Sequence, residues 1–258
     1  MRRILSVADY IFKQSFRNRM LNVLVVFAIL TIGFSVVISS LAQETEIKMV
    51  QDFGLFSISI FAFFTLLLSI TIQMFEETEL KTISMVIVKP INRHEYLIGK
   101  YLGICATIFM NVFFMLAALM LVVKAAGGEA WDPRLILSVF YSFLGTAMLS
   151  SIALLLSVVA TNVPTCIIFL LLFYVLGHLT IHLKNIAAMS ESPFFKAVAD
   201  VIYYSVPNFE AFNLKDKIYS YEGFFSPEYL GLSLLYTVTY SAFILITASY
   251  VFSKKEFY

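Results

Sequence analysis

Five stretches of this 258-residue chain contain no Asp, Glu, Lys or Arg, and each is long enough to cross a lipid bilayer as a helix. They are Leu21–Gln43, Phe53–Phe75, Tyr101–Val123, Leu135–Leu183 and Tyr229–Ser253. A helix rising about 1.5 Å per residue needs about 20 residues to traverse the hydrocarbon core. Four of the stretches therefore make one span each. Leu135–Leu183 is long enough for two. It is divided at Ala160-Thr161-Asn162-Val163-Pro164, where Asn and Pro mark a tight turn and Pro164 suits the first turn of the next helix. The expected count is six spans. Composition agrees: 60% of residues are hydrophobic and 14% charged, with a mean hydropathy of +0.87. An ordinary soluble domain is about 45–50% apolar and about 25% charged. The expected fold class is an all-α membrane protein, with residues 1–258 forming a single transmembrane domain.

Other features exclude function classes. The net charge of +1 supplies no field to draw nucleic acid. Cys105 and Cys166 sit inside apolar runs and read as small buried hydrophobes, without metal spacing or a disulfide pattern. Ser40-Leu41-Ala42 looks like a signal-peptide cleavage site. The apolar run before it exceeds the usual h-region of about 7–15 residues, so the segment is expected to remain as the first span.

Orientation follows from Lys and Arg in the loops. Arg2, Arg3, Lys13, Arg17, Arg19, Lys81, Lys89, Arg93, Lys100, Lys254 and Lys255 fall on one side of six alternating spans. The other side holds Lys48, Lys124, Arg134, Lys184, Lys196, Lys215 and Lys217 in longer loops that are net acidic or neutral. Both termini are expected to be cytoplasmic.

Three segments outside the spans carry pattern. Within residues 1–19, Ile4, Ala8, Ile11, Phe12 and Phe16 recur at helical spacing, with Arg3, Lys13, Arg17 and Arg19 mostly elsewhere around the helix. This predicts a helix in the membrane interface, its basic residues toward anionic headgroups. Residues 75–96 open with Glu76, Glu77 and Glu79. Leu80, Ile83, Val86 and Ile87 then repeat at helical spacing, and Lys89-Pro90 closes the segment. Acid at the start and base at the end suit the helix dipole. Asn92-Arg93-His94-Glu95 reads as a capping-box relative that starts the third span. A short amphipathic helix over Thr78–Lys89, held between two spans, is expected. In residues 184–228, Ser192-Pro193 starts a helix along which Phe194, Phe195, Val198, Ile202 and Ser205 form a stripe, and Pro207 ends it. This loop is rich in Phe and Tyr and is expected to dip into the outer leaflet or lid the spans.

Absences narrow the class further. No charged residue lies inside an expected span, and no inverted repeat is evident, which disfavours ion-coupled carriers and proton pumps. There is no G-x-x-x-x-G-K-[ST]; Gly99-Lys100 has His94 where the first glycine belongs. ATP hydrolysis is therefore not expected on this chain. His178 and His182 share a helix face at i, i+4, but no acidic or Cys partner lies near them in sequence, so no metal centre is assigned.

The chain resembles the permease subunits of ABC type-2 exporters. The resemblance rests on the basic N-terminal helix, two spans, and then Phe75-Glu76-Glu77-Thr78-Glu79 with Thr82. Lys89-Pro90-Ile91-Asn92-Arg93-His94-Glu95-Tyr96 and Gly99-Lys100 follow. That family shows an acidic cluster followed by Thr, then a Pro-x-x-Arg-x-x-Tyr/Leu-x-x-Gly-Lys run. Val206-Pro207-Asn208-Phe209-Glu210 in the outer loop and the ending Phe252-Ser253-Lys254-Lys255-Glu256-Phe257 are similar too. The six-span layout covers essentially the whole chain.

The resemblance implies a half-transporter in a prokaryotic inner membrane. Two permease subunits, identical or different, would pair around a lateral pathway in the lipid. A separate P-loop ATPase carrying ATP and magnesium would dock beneath each, and this chain would bind no cofactor. Coupling would run through Glu76, Glu77, Glu79, Leu80, Thr82, Ile83, Val86, Ile87, Lys89, Pro90, Arg93, Gly99 and Lys100. The N-terminal helix would be an elbow at the interface, and the outer loop would gate the exit. No substrate residue carries over. Similar membrane subunits serve nitrous-oxide-reductase maturation and gliding machinery, so an ATPase-coupled subunit that transmits force or acts as a scaffold, moving no substrate, is the alternative.

Overall fold

The computed structural model describes residues 2–39, 46–79, 92–129, 131–160, 162–190, 192–214 and 227–254. These form α1 (Arg2–Arg17), α2 (Arg19–Ser39), α3 (Glu46–Glu79), α4 (Arg93–Ala125), α5 (Pro133–Val159), α6 (Val163–Met189), α7 (Pro193–Ser205), a 3-10 turn at Phe209–Phe212 and α8 (Pro227–Lys254), with no strand among the described residues. Six of the helices, α2 to α6 and α8, are long and apolar enough to cross a membrane. The chain is a multi-pass membrane protein.

Local chemistry explains where the helices begin. At α4 the Glu95 carboxylate accepts a hydrogen bond from the Asn92 backbone N–H at 3.2 Å. Asp132 caps α5 by accepting from Arg134 N–H at 2.9 Å, with Pro133 in the first turn. Asn162 caps α6 by accepting from Thr165 N–H at 3.1 Å, again with a proline in the first turn, so the long apolar run does divide there. Ser192 caps α7 in the same way, accepting from Phe195 N–H at 3.5 Å. Gly127, at φ 85°, takes the left-handed conformation that ends α4.

Helices α3, α4 and α5 make the centre. A Cβ on Gly54 of α3 would meet the Leu119 side chain of α4, and the Asn111 amide of α4 donates to Thr65 Oγ1 of α3 at 3.4 Å. These contacts run α3 and α4 antiparallel. Ser59 of α3 and Ser142 of α5 lie 3.1 Å apart, and the Phe63 and Tyr174 rings join α3 to α6 at 4.0 Å. In its most apolar window α5 is 67% buried, against 22% for α2 and α6 and 17% for α8, so α5 is the inner helix and these three form the outer wall. Several hydroxyls inside the bundle are satisfied within their own helices: Ser57, Thr65, Thr107 and Thr146 each donate to the carbonyl four residues back.

Two amphipathic helices pack on stripes that overlap those the spacing predicts but are rotated from them. In α1 the face turned to α4 is Ile4, Val7, Ala8 and Ile11, with Ser15 also buried, while Phe16 is exposed. The reason is a pair of glycines. A Cβ on Gly99 would come within 2.7 Å of Val7 Cβ, and one on Gly103 within 2.7 Å of Ile11 Cβ, so α1 lies backbone-close in a groove on α4. Both helices advance in the same direction along this contact. In α7 the buried position is Ala199, whereas Phe194 faces outward. Small Ala199 and buried Ala187 of α6 allow close approach, and the Lys184 ammonium of α6 clamps the pair from 3.7 Å above the Tyr203 ring. Of the expected Thr78–Lys89 helix, Thr78 and Glu79 form the last turn of α3; residues 80–91 lie outside the described residues.

Candidate functional site

The end of the bundle where α4 begins is sutured by side chains. One nitrogen of the Arg93 guanidinium donates to the carbonyls of Phe252 at 2.7 Å and Ser253 at 3.0 Å. These carbonyls belong to the last turn of α8, which has no intrahelical donor for them, and the cation meets the negative end of that helix dipole. The guanidinium also lies 5.7 Å from the Phe252 ring centroid, and Tyr96 stacks on that ring at 6.4 Å. On the opposite side of α4, Arg3 of α1 pairs with Glu95 at 3.9 Å. Lys100 is 2% exposed, with its ammonium 6.0 Å from the Tyr96 ring and within electrostatic reach of Cys166 in α6. Three helices, α1, α6 and α8, thus converge on the first two turns of α4.

At the opposite end of α8 the chain re-enters the bundle. After α7, the segment from Val206 to Leu214 turns back between α5, α6 and α8, with Phe209 and Phe212 both nearly fully buried. Each ring faces a glycine. A Cβ on Gly177 of α6 would collide with the Phe209 ring, and one on Gly145 of α5 would lie 3.3 Å from Phe212 Cβ. Gly177 stands twelve residues back from Met189, where α6 ends, so the turn reaches about 18 Å below the end of that helix. Non-helical backbone at such depth needs partners within the protein. Here α8 provides them. Tyr229 OH donates to the Ala211 carbonyl at 2.7 Å, and Tyr236 OH accepts from Asn208 N–H at 3.3 Å. Phe212 and Tyr236 are stacked at 6.2 Å. Within the turn, the Asn213 amide donates to Glu210 Oε1 at 2.9 Å.

Beneath this plug lies a cavity of about 40 Å³, lined by Ser59, Ser142, Gly145, Thr146, Tyr174, His178, Phe209, Phe212 and Asn213 among others. Its wall is neutral and hydrogen-bonding. His178 Nδ1 is 2.9 Å from the Tyr174 carbonyl, an acceptor, so this nitrogen carries the proton. The imidazole also contacts the Phe209 ring at 5.7 Å. His178 and His182 do not act together: His178 faces the plug, whereas His182 is exposed. No group of three or more His, Cys, Asp or Glu able to hold a metal occurs among the described residues.

The residues expected to serve coupling therefore separate into groups. Arg93, Gly99 and Lys100 are brought together at the suture, where they bond to α8, seat α1 and lie buried, respectively. Glu76, Glu77 and Glu79 close α3. Leu80, Thr82, Ile83, Val86, Ile87, Lys89 and Pro90 lie outside the described residues. The span-by-span reading missed the plug's seat, Gly145 and Gly177. Its signal was isolated glycines inside otherwise bulky apolar runs, which mark close approach of another segment. No family model matches the chain, and no curated protein matches it.

Proposed function

We propose that this chain is the transmembrane permease subunit of an ATP-driven exporter of the ABC type-2 kind, working as a dimer with separate P-loop ATPase subunits. The supporting observation is the suture around Arg93. The segment 80–91, with its apolar stripe of Leu80, Ile83, Val86 and Ile87, joins α3 directly to the turn where α1, α4 and α8 are fastened. Force that reaches the start of α4 from a docked ATPase would pass to α8 through the Arg93 bonds and to α1 through its seat on Gly99. On this reading the suture lies at the cytoplasmic face, α1 is the elbow, with Leu5 and Phe16 toward lipid and Lys13 and Arg17 toward headgroups, and the plug closes the exit at the far side. ATP and magnesium belong to the partner.

The test is the double change Ile83→Asp and Ile87→Asp. Apolar anchors dominate helix-in-groove contacts, and losing one costs about 2 kcal/mol or more. Both positions lie outside the spans, so membrane insertion is expected to persist, while co-purification with the ATPase and ATP-driven transport in vesicles are expected to be lost. A double variant that still binds its ATPase and transports normally overturns the assignment. ATPase binding and turnover by the parent with no solute moved under any condition would favour the force-transmitting alternative.

A further inference from the structure

α8 packs against α5, and its inner stripe of small and hydroxyl residues, Ser233, Thr237, Ser241 and Ala248, is buried. It is fastened to α4 at the Arg93 suture. Beyond that junction α4 and α8 diverge, leaving a cleft of about 640 Å³. That volume is in the range of sites that hold a small amphiphile. The cleft opens on the flank of two membrane-spanning helices. Its walls are Ile98 and Leu102 on one side and Val238, Leu245 and Ile246 on the other, with small Ala242 between the α8 contacts leaving room. Tyr101 and Ser241 add two polar groups among these apolar residues, and the other polar groups gather at one end. His94, Ser249, Tyr250 and Ser253 lie toward the suture, and the Lys254 ammonium sits 4.5 Å from the Tyr250 ring centroid. No acidic side chain lines the cleft among the described residues. Apolar length ending at donors and a cation matches a lipid with an anionic headgroup.

We propose that this cleft is a phospholipid site, taking one acyl chain of an anionic lipid between α4 and α8 with the phosphate at His94 and Lys254. The lipid belongs to the leaflet on the suture side. Cation attraction to an anionic headgroup and apolar burial of the chain act together there. An occupant in this cleft wedges the two helices that Arg93 ties together, so it sets the angle at which α8 leaves the suture. The site stands whether or not the chain transports a solute.

The experiment uses the full chain in phosphatidylcholine nanodiscs doped with phosphatidylglycerol carrying a diazirine midway along one acyl chain. Cross-linked peptides are mapped by mass spectrometry. Adducts are expected to concentrate on residues 98–102 and 238–249 relative to the exposed face of α2. Ala242→Trp fills the cleft and is expected to reduce those adducts to the α2 level; Ser249→Phe serves if the first variant does not fold. Lys254→Gln is expected to lower the preference for phosphatidylglycerol over phosphatidylcholine about fivefold. Adducts spread evenly over α2 and the cleft, or an unchanged pattern in a folded filled variant, overturn the site. A Ser249→Cys protein that forms a disulfide-linked dimer, with no lipid adduct in the cleft, assigns the cleft to a second copy and overturns it too. An unchanged lipid preference in Lys254→Gln overturns the headgroup assignment.

Discussion

Replacing Gly177 by Ala puts one methyl group where the Phe209 ring now sits. The added Cβ would overlap the ring, and it would also come within 3.0 Å of the Pro207 carbonyl oxygen. That oxygen belongs to backbone, which cannot rotate away as a side chain can, so the ring or the whole turn must move. Overpacking of this kind costs about 1–3 kcal/mol. Lipid tails are as apolar as the bundle interior, so the loss is one of fit rather than of hydrophobic burial. Taking about 2 kcal/mol against the seated plug raises the unseated population about thirtyfold. Gly145→Ala is the matched control. Its Cβ would lie 3.3 Å from Phe212 Cβ, a contact relieved by a shift of a few tenths of an ångström, and about 0.5 kcal/mol, or roughly twofold, is expected. The assay is maleimide labelling of Thr146→Cys in a Cys105→Ser, Cys166→Ser background. Thr146 lines the cavity and bonds only to its own helix, so the reporter leaves the Ser59–Ser142 contact in place. With opening fast relative to labelling, the rate follows the open population. A folded Gly177→Ala protein that labels no faster than the parent, or no faster than Gly145→Ala, refutes the seating of Phe209 as what closes the cavity.

Three further outcomes are expected. Gly103→Leu should dislodge α1 from its groove, because even the first added carbon would lie 2.9 Å from the Ala8 carbonyl; limited proteolysis should then release residues 2–17 before the rest of the chain, and parental protection would contradict the close seat. Arg93→Gln removes two charge-assisted bonds to α8 and should destabilise the chain by about 1–3 kcal/mol, read as a lower Tm in detergent, with Arg93→Lys recovering part of the loss. Cysteines introduced at Ser253 and Ser220 should label from opposite sides of the membrane, as the eleven-to-seven distribution of basic residues requires; labelling from the same side would break the six-span topology.

The spans were legible because charge is so costly in hydrocarbon that its absence alone marks their limits. The helix starts at Asn92 and Ser192, and the break at Asn162, were legible because each is a local arrangement of side chain and backbone over a few residues. What periodicity could not settle is which of two neighbouring apolar stripes turns inward. In α1 that choice depends on Gly99 and Gly103, far away in sequence, and in α7 on Ala187. The suture was half legible. Arg93, Gly99 and Lys100 stood out as a motif, but nothing local indicates that Arg93 reaches the carbonyl of Ser253, 160 residues on. Least legible was the re-entrant turn. Counting charges within spans cannot show that a loop brings Glu210, half-buried and bonded to Asn213, back against the bundle.

The two ends of the bundle share one helix. α8 is bonded to both. Its last turn is capped by Arg93, while its first turns serve the plug through Tyr229 and Tyr236. A tilt of α8 imposed at the suture must therefore strain Tyr229 against the Ala211 carbonyl and Tyr236 against Asn208, because a hydrogen bond weakens steeply once its geometry is lost. The plug has little slack to absorb this. Phe209 is fitted closely against Gly177, and packed contacts of this kind tend to switch between arrangements rather than deform continuously. On the proposed reading, a helix tied in this way to a closely fitted turn is the machinery that relays motion from one end of the bundle to the other. In this chain it requires only one arginine, two tyrosines and two glycines.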